Sequence, residues 1–339
     1  MLRTVEELEA ALATPDDALV DDVARLQGDI LILGAGGKMG PSLARLARAA
    51  VVRAGVDKRV MAVARFSDSA VQADLAAFGV ETIRADLMDE RVLKDLPDAD
   101  NVLYLVGHKF GTVGQEPLTW AMNTWLPGLV AERYRDARIV AYSTGNVYPF
   151  VPVISGGATE ATPTAPIGEY AQSCLGRERL LAWQAGRHGT PVLLFRLNYA
   201  IDLRYGILLE VARAVYEDRP VALAMGHVNV IWQGDANAYA LRALHHCTTS
   251  APALNVTGPE TIALRYLAHE FAVRFGREPR FVGEESPTAL LSNAGRAFGL
   301  FGYPRMTLTQ MIDWVAHWVQ AGGVTHGKPT HFEEREGRF

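Results

Sequence analysis

The chain carries only two cysteines, Cys174 and Cys247, in 339 residues. That is too few for a disulfide framework and points to a reducing compartment. Positive charge is not in surplus: 33 lysines and arginines face 38 acids, for a formal net charge of −5. With no basic block either, neither nucleic acid nor an anionic membrane is the expected partner. No apolar run reaches the ~18 residues of a membrane-spanning helix. The opening MLRTVEELEAALATPDD is acidic and amphipathic, without the apolar stretch of a signal peptide. A cytoplasmic location is therefore expected. Thr4 and Glu7 have the spacing of a helix capping box.

What is present is a large apolar fraction, 49% hydrophobic against 21% charged, enough for a sizeable core. From Asp29, short apolar runs alternate with amphipathic stretches. Strands are expected at 29–33, 59–64, 80–86, 101–106, 138–143 and 191–196. Helices are expected at 41–51, 71–78, 117–134 and 168–188. Continuous apolar strands suit a parallel sheet covered on both faces. The expected fold is α/β, a Rossmann-type doubly wound parallel sheet. After Leu197 the rhythm loosens. Helices at 204–217, 235–247, 261–275, 286–299 and 307–321 and short strands near 225–231, 253–256 and 279–282 suggest a smaller mixed α/β cap. The expected division is a helical extension over 1–28, a dinucleotide-binding domain over 29–200, a cap over 201–326 whose strands can return to the sheet, and a polar tail over 327–339.

Gly34, Gly37 and Gly40 stand in GAGGKMG, between the first strand and the first helix. Glycines there permit a tight turn and close backbone approach to a pyrophosphate at a helix N-terminus. A glycine triplet alone is weak evidence, but the flanking strand and helix strengthen it. NAD binders usually place an acid at the end of the second strand. Here AVARFSD offers Arg65 and Ser67, which leans towards the 2′-phosphate of NADP over NAD, with Lys38 helping. The alternative is an Arg65 that stacks on adenine or faces water. Asp86 and Leu87, after the third strand, suit an adenine contact, although Asp86 equally suits a helix N-cap.

These features resemble the extended short-chain dehydrogenase/reductase superfamily, the NAD-dependent epimerase/dehydratase group. The likeness rests on GxxGxxG with Met39 in its last interval, on Asp86-Leu87, on the strand ending at Gly107, on YSTGNVY over 142–148, on Tyr170 and on LLFR over 193–196. VNVIWQGDANA and LNVTGPE extend it, so that it spans about residues 29–320. The resemblance implies that Thr144 hydrogen-bonds the reacting substrate oxygen. It implies that Tyr170 is the general acid/base beside a nicotinamide. It also implies a homodimer through the helices at 117–134 and 168–188.

One element of the family pattern is missing. Tyr-x-x-x-Lys here reads Tyr170-Ala-Gln-Ser-Cys174. A tyrosine titrates near ~10, so a cation normally assists it. Three readings stay open. Another cation substitutes, with Lys109 first and His108 or Arg177 behind it; Tyr170 donates a hydrogen bond while another group is the base; or the chain binds NADP without turnover, as a regulatory or interaction protein.

The resemblance places nucleotide-sugar epimerases and dehydratases nearby. VNVIWQGD, however, lacks the basic residues that would meet a diphosphate. A smaller sugar, polyol or sugar acid is expected. Asn146, Tyr148 and Asn198 are candidates for its hydroxyls, and Arg196, Arg204, Lys328 and His331 for a carboxylate. His245-His246-Cys247 cannot converge from one helix face, so no metal site is expected.

Overall fold

The computed structural model describes residues 1–338. Seven parallel strands form the main sheet: β1 (Ile30–Leu33), β2 (Val60–Ala64), β3 (Glu81–Arg84), β4 (Asn101–Tyr104), β5 (Arg138–Thr144), β6 (Val192–Leu197) and β7 (Ala253–Val256). Their order is β7-β6-β5-β4-β1-β2-β3. The reversal between β1 and β4 is the topological switch point at which such sheets bind ligands. β1, β2 and β4 are buried throughout, which is why they read as unbroken apolar runs. β7 pairs with β6 in parallel, Ala253 opposite Leu194, so a strand far along the sequence completes the sheet.

The N-terminal residues form two short helices, α1 (Val5–Leu12) and α2 (Asp17–Arg25). The Thr4–Glu7 capping box is present in α1. Leu8 and Leu12 enter the core beside the C-terminal helices, while Leu19 and Val23 pack on the sheet side. The sheet is flanked by α3 (Gly40–Ala54), α4 (Ser69–Ala77), α5 (Glu90–Asp95), α6 (Glu116–Trp120), α7 (Leu126–Arg133) and α8 (Gly168–His188).

The helix expected over 117–134 is not continuous. A π-helical turn, Ala121–Trp125, separates α6 from α7. Pro127 supplies a cause: it has no N–H to donate back to the carbonyl of Asn123, four residues earlier. That carbonyl accepts instead from Arg177 Nε on α8, at 3.1 Å.

Beyond β6 lie α9 (Ile207–Tyr216), α10 (Gln233–Arg242), α11 (Leu264–Phe275), α12 (Gly295–Phe301) and α13 (Leu308–Gln320). α9, α11 and α13 share an apolar core with Val147 and Val151. The expected helix at 286–299 is a correction. Thr288–Ala289 instead pairs antiparallel with Val151–Pro152, and helix begins only at Gly295. The apolar Ala289, Leu290 and Leu291 run through the core in extended form.

Residues 325–338 lie across this half of the molecule. The Thr330 N–H donates to Glu210 Oε1 at 2.5 Å, Phe332 is buried, and Arg335 donates to the Thr288 carbonyl at 2.9 Å. Among the described residues, no helix is long and apolar enough to cross a membrane.

Candidate active site

Two cavities meet at the switch point. The outer one, about 610 Å³, is lined by Gly34, Gly36, Gly37, Arg65, Asp86, Leu87 and Gly107, among others. That volume falls within the about 300–1,000 Å³ of small-molecule and cofactor sites. The glycine loop is built for close approach. Gly34 has φ +89°, and a Cβ there would stand 2.9 Å from the Val106 nitrogen. A Cβ on Gly40 would stand 2.4 Å from the Ala35 carbonyl oxygen. The first position needs a left-handed backbone and the second needs close packing under the helix start. A dinucleotide fits this cradle, with α3 presenting its N-terminus to a pyrophosphate. Arg65 projects into the cleft and is exposed. Asp68 caps α4 through the Ala70 N–H, and Asp86 accepts from the Met88 N–H at 3.0 Å.

The inner cavity, about 250 Å³, is lined by Lys38, Met39, Lys109, Thr144, Asn146, Tyr170 and Asn198, with Tyr199, Tyr205 and Thr330. The cavities adjoin at consecutive residues: Gly37 and His108 line the outer one, Lys38 and Lys109 the inner. Lys38 is therefore not beside Arg65 as expected. Its Nζ lies 3.3 Å from the centre of the Tyr205 ring, which also lines the inner cavity. Desolvation lowers its pKa to about 7, with Lys109 and Lys328 reinforcing the effect and Asp202 and Glu210 opposing it.

Thr144 ends β5. Its Oγ1 donates to Asn146 Oδ1 at 2.8 Å and accepts from the Asn146 N–H at 3.1 Å. Tyr170 lies in the first turn of α8, and its phenol shares hydrogen bonds with Thr144 and Cys174. Burial raises the phenol pKa strongly, and Arg177 pulls the other way. Lys109 Nζ lies 5.7 Å from the centre of the Tyr170 ring. Desolvation brings Lys109 down to about 8 against the pull of Cys174 and Glu210.

Behind Tyr170 sits a buried assembly whose positioning part sequence reasoning missed. Asn123, in the π-turn, accepts from the His108 N–H at 2.7 Å and donates to the His108 carbonyl at 2.9 Å and to Ser173 Oγ at 3.0 Å. The buried Arg177 guanidinium donates to the Asn123 and Tyr142 carbonyls and to Asn123 Oδ1. The sequence signal was an asparagine four residues before a helical proline.

Tyr148 is not in the inner cavity. Its hydroxyl donates to Asn255 Oδ1 at 2.8 Å and accepts from Arg196 Nη1 at 2.6 Å, deep in the protein. Arg196 is held by both Glu178 oxygens, at 2.9 and 2.6 Å. Burial opposes its charge, but Glu178 and Tyr148 hold it firmly protonated. Arg204 is bound by Asp202 and Glu9, and His331 packs near Phe110. Arg196 is not placed to meet a substrate carboxylate, whereas Arg204 and Lys328 line a further cavity of about 390 Å³ that shares Tyr205 and Gly206 with the inner one. His245 lies against the Asp22 carbonyl and Cys247 against the Ile139 carbonyl. Among the described residues, no cluster of three or more His, Cys, Asp or Glu is placed to hold a metal ion.

Residues 30–201 match the protein family described as the NAD dependent epimerase/dehydratase family. No curated protein sequence matches the chain significantly. Among solved structures, the chain is similar to the dTDP-glucose 4,6-dehydratase DesIV from Streptomyces venezuelae with NAD and TYD bound. That likeness has a TM-score of 0.73 and 17% identity, over 86% of this chain and 97% of the other. It is similar to the UDP-glucuronic acid 4-epimerase of Bacillus cereus in complex with UDP-glucuronic acid and NAD, with TM-score 0.70 and 16% identity over 86% and 99%. A short-chain dehydrogenase/reductase superfamily protein from Agrobacterium tumefaciens with bound NAD gives TM-score 0.71 and 18% identity over 86% and 97%. At these identities the likeness establishes the shared fold, the Rossmann sheet with its flanking helices.

Proposed function

The chain belongs to the NAD-dependent epimerase/dehydratase family, and from that premise we propose that it is an enzyme moving a hydride at a hydroxyl-bearing carbon of a small carbohydrate-like substrate. The observation that carries this reading is the hydrogen-bonded pair Thr144–Tyr170, in a cavity that opens on the glycine-loop cleft. A nicotinamide dinucleotide, bound along the outer cleft, supplies the hydride chemistry.

The chain's own residues do the rest. Thr144 orients the substrate oxygen. Tyr170, held protonated by burial, donates its proton to that oxygen in the reducing direction. Arg177, hydrogen-bonded behind the tyrosine, and Lys109, close to its ring, provide the positive charge that Cys174 does not. With a pKa of about 8, Lys109 also exchanges a proton readily in mild alkali. Asn198 and Asn146 line the same cavity and address substrate hydroxyls.

Arg65 and Ser67 in the cleft favour acceptance of a 2′-phosphate, so NADP is the preferred cofactor with NAD as the alternative. The neighbours named above carry NAD and, in two cases, nucleotides or nucleotide-sugars. The stretch VNVIWQGD has no basic residue to meet a diphosphate, which supports a substrate without the nucleotide. Exposed Trp125 and Trp183, on neighbouring segments of the π-turn and α8, support pairing of two copies through these helices.

The test separates binding from turnover. NADPH and NADH are titrated into wild type and Tyr170→Phe, and turnover is followed at 340 nm with sugars and sugar acids. Expected are NADPH binding in both proteins, tighter than NADH, and loss of turnover in the variant alone. A wild type that binds dinucleotide yet turns over no member of the panel favours the non-catalytic regulatory reading. Failure to bind either dinucleotide overturns the proposal.

A further inference from the structure

The segment that leaves β4, Gly107-His108-Lys109, crosses the seam between the two cavities. His108 lines the outer one beside Gly107, and Lys109 lines the inner. The fold fixes His108 at three points. Both of its backbone groups are bonded to one side chain. The N–H donates to Asn123 Oδ1 at 2.7 Å, and the carbonyl accepts from Asn123 Nδ2 at 2.9 Å. Its ring Nδ1 lies 3.0 Å from Thr119 Oγ1. Thr119 on α6 and Asn123 in the π-turn are both fully buried, so these anchors are firm. A side chain held this closely by its supports is pre-organised for whatever it meets.

The Thr119 bond decides the tautomer of the ring. A hydroxyl has one proton to give. That of Thr119 goes to the Gln115 carbonyl, four residues earlier, at 3.0 Å. Towards His108 the hydroxyl therefore turns a lone pair, and the proton between them belongs to Nδ1. The bond made by one ring nitrogen sets the role of the other. In the neutral ring, Nε2 is then an acceptor. Among the described residues it makes no hydrogen bond, and it is not one of the buried unpaired atoms. The half-buried ring offers it to the outer cavity.

An acceptor at this place selects a donor. Pyrophosphate oxygens only accept, whereas ribose hydroxyls donate. The order of groups along a dinucleotide then places the partner. The glycine loop and the start of α3 suit the pyrophosphate. Thr144 and Tyr170 lie across the seam, in the inner cavity, and the nicotinamide has to come within reach of them. The ribose that carries the nicotinamide falls between, at the seam where His108 stands.

We propose that His108 holds the nicotinamide-side ribose, its Nε2 accepting from a ribose hydroxyl. This rests on the reading of the outer cleft as a dinucleotide site. His108 is then a cofactor-holding residue, and not the substitute cation considered for Tyr170. Thr119 and Asn123 are the residues that position it.

The test uses the full chain and ligands of decreasing length, titrated by calorimetry. They are NADPH, 2′-phospho-ADP-ribose, which lacks the nicotinamide, and adenosine 2′,5′-bisphosphate, which lacks the second ribose as well. A chain that prefers NADH is titrated with NADH, ADP-ribose and AMP. His108→Leu should weaken the first two about tenfold, as loss of one hydrogen bond, and leave the third unchanged. Unchanged binding of the third also reports a folded variant with an intact cleft. His108→Gln returns an acceptor oxygen and should recover part of the loss. Thr119→Val frees the ring to take the other tautomer and should show the same pattern at about threefold. A loss confined to NADPH places the contact on the nicotinamide and overturns the proposal. Equal loss of all three ligands, or no loss, overturns it as well. If wild type binds no ligand of the set, the functional reading falls first and takes the proposal with it.

Discussion

Arg177 shows how one side chain can hold a site together without touching ligand. Its guanidinium is buried and bonded to two backbone carbonyls and one amide oxygen. Replacing it with methionine removes this donor from the Asn123 and Tyr142 carbonyls, while Asn123 Oδ1 keeps the His108 N–H. Because hydrogen bonds to charged groups are worth about 1.5–3 kcal/mol each and some acceptors recover partners, Arg177→Met should cost about 2–4 kcal/mol. Urea unfolding checks this. Lysine should rescue little, since a single ammonium cannot reproduce the planar fork. At this scale the sequence was partly legible. Gly34, Gly40, Thr144 and Tyr170 stand in recognisable local patterns. Tyr148 stands in one too, yet its hydroxyl belongs to Arg196 and Asn255, residues 48 and 107 positions away. Lys38 was misplaced for a similar reason: a loop position gives the backbone location, and only packing against Tyr205 gives the direction of the side chain.

At the scale of elements, the tight contact between α8 and the π-turn carries the site. A Cβ on Gly176 would lie 2.9 Å from Thr124 Oγ1 and 3.3 Å from the Trp120 ring. Gly176→Val should therefore push α8 outward. A loss of about 1–3 kcal/mol is expected from overpacking, read as a lower urea midpoint with unchanged slope. Weakened dinucleotide binding should accompany it, because the same contact places Ser173 against Asn123 and Asn123 against His108. The parallel strands were readable because they are buried on both faces. The π-turn was not, since one shifted hydrogen bond leaves apolar spacing almost unchanged. The stretch 286–299 misled for the opposite reason. Its apolar run fits a helix or a strand equally, and only pairing with Val151–Pro152 decides.

Across the whole molecule, segments distant in sequence close around the cavities. α1 reaches the cap through Glu9 and Arg204, and α2 reaches α10 through Asp22 and Arg242. Residues 325–338 form an outer wall, with Phe332 buried and Arg335 stacked 4.2 Å from the centre of the Phe150 ring. Deleting residues 327–339 removes Thr330 from the inner cavity and admits water beside the lysines. The expected result is a melting temperature lower by a few degrees, since the buried Phe332 and the stacked Arg335 are lost. Differential scanning calorimetry reads the shift. No composition or periodicity argument reveals this wall. The tail is polar, and its anchors are single residues at tertiary contacts.

Gly337 of this segment lies against the start of α8. A Cβ on Gly168, which opens α8, would stand 2.3 Å from the Gly337 carbonyl oxygen, and one on Gly337 would stand 2.4 Å from the Ile167 carbonyl oxygen. Two residues beyond Gly168 is Tyr170. A valine at Gly337 would wedge this seam apart and displace the first turn of the helix that carries the phenol. Gly337→Val should therefore lower turnover more than it weakens NADPH binding, and the two assays read these effects separately.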